Sequence, residues 1–290
     1  MKLIKTHFWI LIFTPWILIA SLFVAPFISN LLGVEGMYHQ NVLLPTFFLP
    51  LCVAYPLIKR DVSVKPYPLK PLSGHSLIWT LIMTLSFLSI FILLNLVSDI
   101  PMRALQSFAG YPLWLPVVSL GIFGILEVFF YQGVLYSDYR SRHISIWHTA
   151  IITGIFATLV HMHPPQFMVV MLIQKVLWVF IIYWTKSLWS PILMNILIFP
   201  VMTAFFFEIV TTENQALFQI IFGVLSLISI VMIPLGLKNM KTRYERLNKN
   251  EIENASQKSS TSPFNWLFWV LTVFWVGLYI YQYLVLTIRP

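Results

Sequence analysis

Gly124-Ile-Leu-Glu127-Val-Phe-Phe-Tyr-Gln132-Gly133 sets one acidic side chain inside an apolar run covering 114–136. At 1.5 Å per residue such a run reaches about 35 Å, enough to cross a hydrocarbon core of about 30 Å. A carboxylate at that depth costs several kcal/mol unless it faces a polar cavity or a partner, and by default it marks a functional site. Two further polar interruptions follow in apolar surroundings, Phe156-Ala-Thr-Leu-Val-His161-Met-His163-Pro-Pro and Ser190-Pro-Ile-Leu-Met-Asn195.

The whole chain shares this character. Of 290 residues 59% are hydrophobic and only 10% are charged, whereas soluble domains carry about 25% charged residues. The composition predicts an all-α, polytopic transmembrane bundle. Nine spans of about 20 residues are expected, at 8–32, 42–57, 76–97, 114–136, 147–161, 166–184, 188–210, 217–237 and 264–288. The first apolar run is too long for the core of a signal peptide, so it reads as a retained helix. Residues 1–237 form a membrane bundle whose core is 114–200. A polar linker at 238–263 and an additional C-terminal span at 264–290 follow. Cys52 is the single cysteine, which excludes an intramolecular disulfide.

The net charge of +8 is concentrated between spans, at Lys2, Lys5, Lys59, Arg60, Lys65, Lys70, Arg140, Arg142 and Lys186, and in 238–263. With the N-terminus in the cytoplasm, all of these segments fall on the cytoplasmic side, while only Arg103 and Arg289 fall outside. The basic residues therefore point to orientation and to lipid headgroups rather than to nucleic acid. The lipid bilayer is the expected surrounding, and the plasma membrane the expected location.

Depth relates the polar interruptions to one another. Glu127 lies about 15 Å above Ser137, His161 about 21 Å above Trp147 and Asn195 about 12 Å above Ser187. Three side chains from three helices can thus meet at one level. A carboxylate and an imidazole there can activate water, and an amide, from Asn195 or Gln132, can donate to an oxyanion. Equally, Glu127 can pair with Lys175, the other intramembrane charge, and lock helices together. Gly121, Gly124, Glu127, Val128 and Tyr131 recur at α-helical spacing, and small residues on that face permit close helix approach. His161 and His163 sit at alternate positions that do not share a helix face, and no second carboxylate or cysteine lies nearby, so the reading is metal-free. No cofactor is expected either.

These stretches resemble the CPBP family, which comprises the type II CAAX prenyl proteases and related bacteriocin-processing and self-immunity proteins. Members carry Glu-Glu-x-x-x-Arg-Gly, then Phe-x-x-x-His, then His-x-x-x-Asn, on successive membrane helices. Here Glu127 to Gly133 is similar to the first motif, with Val128 for the second Glu and Gln132 for Arg. Ile155 to His163 is similar to the second, with Ala157 at the motif Phe, and Ser187 to Pro200 is similar to the third, with Asn195 for His and Phe199 for Asn. The resemblance implies a glutamate-type intramembrane endopeptidase in which Glu127 and His161 activate water, Asn195 stands in as an oxyanion donor, and Gln132, His163 and Lys175 are accessory. It implies a peptide or membrane-protein substrate. The departures imply an alternative, a catalytically degenerate member that binds a membrane partner, in immunity or as a scaffold. A transporter ranks below both, because the sequence shows no inverted repeat.

Overall fold

The computed structural model describes residues 70–98, 114–141, 144–159, 165–210 and 213–248, together with isolated residues near each end. All regular structure among them is helical: α1 (Gly74–Val97), α2 (Trp114–Glu127), a π-helical segment (Val128–Leu135), α3 (Tyr136–Ser141), α4 (Ile146–Leu159), α5 (Pro165–Thr185), α6 (Trp189–Glu208) and α7 (Gln215–Leu247). Five stretches are long and apolar enough to cross a membrane, Gly74–Val97, Val117–Ser141, Phe167–Thr185, Trp189–Phe206 and Gln215–Leu247, and Ile146–Thr158 is a shorter apolar helix. They coincide with six of the nine expected spans. The spans at 8–32, 42–57 and 264–288, and the polar stretch beyond 248, lie outside the described residues apart from those isolated positions.

Within lipid every polar group must find its partner inside the protein, and the serine and threonine hydroxyls of α1 do so. Ser73 caps its start by accepting from the Ser76 N–H at 3.3 Å. Thr84, Ser86 and Ser89 donate their hydroxyls to carbonyls four residues back, at 2.7, 2.9 and 2.8 Å. α7 runs antiparallel beside it. At one end Gln215 and Gln219 both donate to the Leu96 carbonyl, at 2.9 and 2.8 Å, and further along Gly236 lies against Met83 and Trp79.

α6 packs between α1 and α2, with Thr80 donating to Ser190 at 3.2 Å and the Phe91 and Phe199 rings 6.0 Å apart. α4 and α5 form a hairpin closed at Gly154, where an added Cβ would sit 2.6 Å from Val176 Cγ2. The main core gathers Met83, Phe87, Phe91, Val128, Trp178, Met194 and Ile198 from these helices. A second cluster at the Leu96 end holds Ile92, Leu96, Phe206 and Val210.

Two elements differ from the sequence reading. The expected α-helix over 114–136 changes pitch after Glu127, and the π-helical segment carries the chain to Leu135. A π-helix closes i to i+5 bonds, as the Tyr136 N–H does on the Tyr131 carbonyl. The helix expected to end at Leu237 continues to Leu247. Lys241 and Glu245 pair across one turn at 3.7 Å, and Tyr244 is buried against Tyr183 with ring centroids 5.0 Å apart. The polar residues over 238–247 thus extend a helix, because their aliphatic stems favour it and one face still packs.

Candidate functional site

Glu127 closes α2 at the point where the pitch changes, and its side chain is fully buried. Three helices converge on it. Lys175, from the middle of α5 and also fully buried, places Nζ 2.6 Å from Glu127 Oε1. Asn195, from α6, donates Nδ2 to Glu127 Oε2 at 2.8 Å and to the Gly124 carbonyl at 3.0 Å. Both neighbours of that amide accept only, so its nitrogen must face them and its oxygen must face away.

The pair is insulated as well as paired. Lys175 Nζ sits 3.9 Å from the centroid of the Trp178 ring and 5.8 Å from that of Phe199, within the range where a cation is attracted to an aromatic face. A buried ion pair holds only if its remaining lone pairs and protons are also met. Asn195 meets the second carboxylate oxygen, and the Trp178 ring faces the ammonium. Gly124 makes the approach of α6 possible, since a Cβ there would lie 2.9 Å from Asn195 Nδ2 and 3.1 Å from its Cγ. Gly121, which the spacing argument grouped with Gly124, has no atom of the described residues within 4 Å of an added Cβ. The close approach therefore belongs to Gly124 alone of these two.

The structure brings together Glu127, Lys175 and Asn195 from the sequence-derived set. Gln132, five residues past Glu127, is fully buried, and neither its Oε1 nor its Nε2 has a hydrogen-bond partner among the described residues. His161 and His163 lie outside the described residues. Asn195 has committed both amide protons to Glu127 and Gly124, and its free atom is Oδ1, an acceptor. An oxyanion needs donors, so the arrangement is not one in which Asn195 can serve it.

Sequence reasoning passed over a further set of buried polar groups. Gln174 in α5 is fully buried, the Thr153 and Thr158 hydroxyls in α4 are buried too, and among the described residues neither Gln174 amide atom and neither hydroxyl has a hydrogen-bond partner. The signal was available, as polar residues inside apolar spans, but threonine usually bonds its own helix backbone and drew no attention. Among the described residues no group of three or more His, Cys, Asp or Glu is placed to hold a metal ion.

A helical membrane protein with a charge-compensated polar centre between its helices is the class that fold and site define. Residues 109–201 match the family model described as type II CAAX prenyl endopeptidase Rce1-like. Over that segment, about a third of the chain, this membrane protein is similar to the CAAX-protease-like family, and the matched residues include Glu127, Gln132, His161, His163, Lys175 and Asn195. No curated protein and no solved structure matches the chain.

Proposed function

We propose that this protein is a non-hydrolysing member of its family, which binds a peptide or membrane-protein segment without cutting it, in the plasma membrane. One observation carries the reading: both carboxylate oxygens of Glu127 are occupied, by Lys175 at 2.6 Å and Asn195 at 2.8 Å, in a fully buried position. A general base must be reached by water, and here the carboxylate is fully buried with an ammonium at one oxygen and an amide at the other, so its charge is already compensated. The family's oxyanion positions, occupied by Asn195 and Phe199, supply one committed amide and one hydrocarbon ring. The unpartnered amides of Gln132 and Gln174 and the hydroxyls of Thr153 and Thr158 support binding. A peptide backbone, which carries a donor and an acceptor at almost every residue, can satisfy such groups in a medium where nothing else does.

A second reading, intramembrane hydrolysis with Glu127 and His161 activating water, is favoured by the family match across 109–201 and by retention of both residues in motif order. The two separate experimentally. Replacing the pair together, Glu127→Gln with Lys175→Met, removes the carboxylate while leaving no buried charge unbalanced. Binding function survives that change, and hydrolysis does not. The measurement is the phenotype of a deletion strain complemented with wild type or variant at matched protein levels. Loss of complementation by a normally accumulating double variant overturns the proposal.

A further inference from the structure

At the end of the bundle opposite Leu96, cations collect on two tyrosines. Lys186, the residue linking α5 to α6, places Nζ 4.9 Å from the centroids of both Tyr183 and Tyr244. Arg140, from α3, places its guanidinium carbon 5.5 Å from the same Tyr183 ring. The two rings are themselves 5.0 Å apart. Three separate parts of the chain, α3, the α5–α6 corner and the last turns of α7, are thereby gathered around one aromatic pair.

The backbone around Lys186 is constrained to hold this arrangement. Its φ is +56°, and it is the one non-glycine residue at positive φ among those described. Glycine is the residue that adopts this conformation without penalty. The corner is tied from both sides. The Lys186 N–H bonds the Ile182 carbonyl at 2.8 Å, while Ser187 donates its hydroxyl to the Lys70 carbonyl and accepts from the Trp189 N–H at 3.1 Å. A lysine held where glycine is easier is an outlier from which a role can be inferred.

Charge and apolar surface together indicate what is bound. Lys70, Arg140, Lys186, Lys238, Lys241, Arg243 and Arg246 populate this end, against the carboxylates of Asp138 and Glu245. The excess is strongly positive, and anions are attracted to it. Directly along α7 from Lys238 the exposed side chains turn apolar, at Leu235, Val231, Ile230, Ile228 and Leu227. A free anion uses only the first of these features. A ligand carrying phosphate and hydrocarbon chains uses both.

The geometry points to a binding site for the phosphate headgroup of an anionic phospholipid at Lys186, Arg140 and the Tyr183–Tyr244 pair, with the acyl chains along the exposed face of α7. Basic pockets between transmembrane helices on the cytoplasmic side recognise lipid headgroups in this way. This site lies at the C-terminal end of α5, with Lys186 eleven residues past Lys175 in the chain, and it does not depend on whether Glu127 is catalytic.

The test is native mass spectrometry of the delipidated full-length protein in detergent, titrated with phosphatidylglycerol or phosphatidylcholine, with inorganic phosphate as a competitor. Wild type retains phosphatidylglycerol at least fivefold better than phosphatidylcholine, and millimolar phosphate leaves that preference intact. Lys186→Gly with Arg140→Gln abolishes the preference. Because glycine suits a φ of +56°, Lys186→Gly alone keeps its thermal midpoint and still weakens phosphatidylglycerol at least threefold, should the double variant fail to fold. Undiminished preference in Lys186→Gly overturns the site. Displacement of the lipid by millimolar phosphate overturns the lipid assignment in favour of a free anion.

Discussion

Removing the ammonium of Lys175 tests the buried pair most severely, because Glu127 then keeps its charge and loses its partner. At 2.6 Å and an effective dielectric constant of about 20, two unit charges attract by roughly 6 kcal/mol. That attraction offsets a desolvation cost of several kcal/mol for each ion. Lys175→Met is similar in length and keeps the hydrocarbon packing on Trp178, so the loss is electrostatic. We expect destabilisation of about 3–5 kcal/mol, a large share of the 5–15 kcal/mol by which a typical domain is stable. Adding Glu127→Gln removes the stranded charge and restores most of the loss. The assay is thermal unfolding in detergent together with the amount of folded protein recovered from membranes, for wild type, both single variants and the double. Equal stability of Lys175→Met and wild type, or single losses that simply add in the double variant, refutes the pairing.

Three other outcomes are expected. Gly124→Ala forces Asn195 aside and lowers stability by about 1–3 kcal/mol, whereas Gly121→Ala, with open space around its Cβ, is neutral or gains up to about 1 kcal/mol from helix propensity. The comparison is read from thermal midpoints. Asn195→Leu removes a bond to a charged acceptor and costs about 1.5–3 kcal/mol, with the shortfall measured in the same assay. In a Cys52→Ala background, Gly36→Cys labels with an impermeant thiol reagent in intact cells and Ser256→Cys does not, following the basic-residue asymmetry.

How much of this was legible in the sequence depends on what each feature needs. Long apolar runs give α1, α5 and α6 nearly to the residue, because a span of about 20 residues leaves little choice of length. Depth allowed Glu127 and Asn195 to meet without requiring it, and Lys175 was the single other charge in that core, so the pair stood among the alternatives. The π-helical segment did not show. Val128-Phe-Phe-Tyr is apolar on every side and is buried almost throughout, so no polar face marks whether the pitch is that of an α-helix or wider. The extension of α7 to Leu247 was hidden by its charge, which resembles a linker until Tyr244 is seen against Tyr183. Gly121 shows the opposite error, a small residue at helical spacing that no helix approaches. The occupancy of both Asn195 amide protons could not be read at all, since it depends on the Gly124 carbonyl rather than on a side chain.

The central claim is that Glu127 holds helices together rather than activating water. Complementation of a deletion strain by the charge-balanced Glu127→Gln, Lys175→Met variant measures it most directly, with protein levels matched to wild type. The account predicts full complementation, since the pair is replaced by groups of similar size and no charge is left buried alone. A variant that accumulates normally yet fails to complement contradicts it, and returns the Glu127 carboxylate to a chemical role.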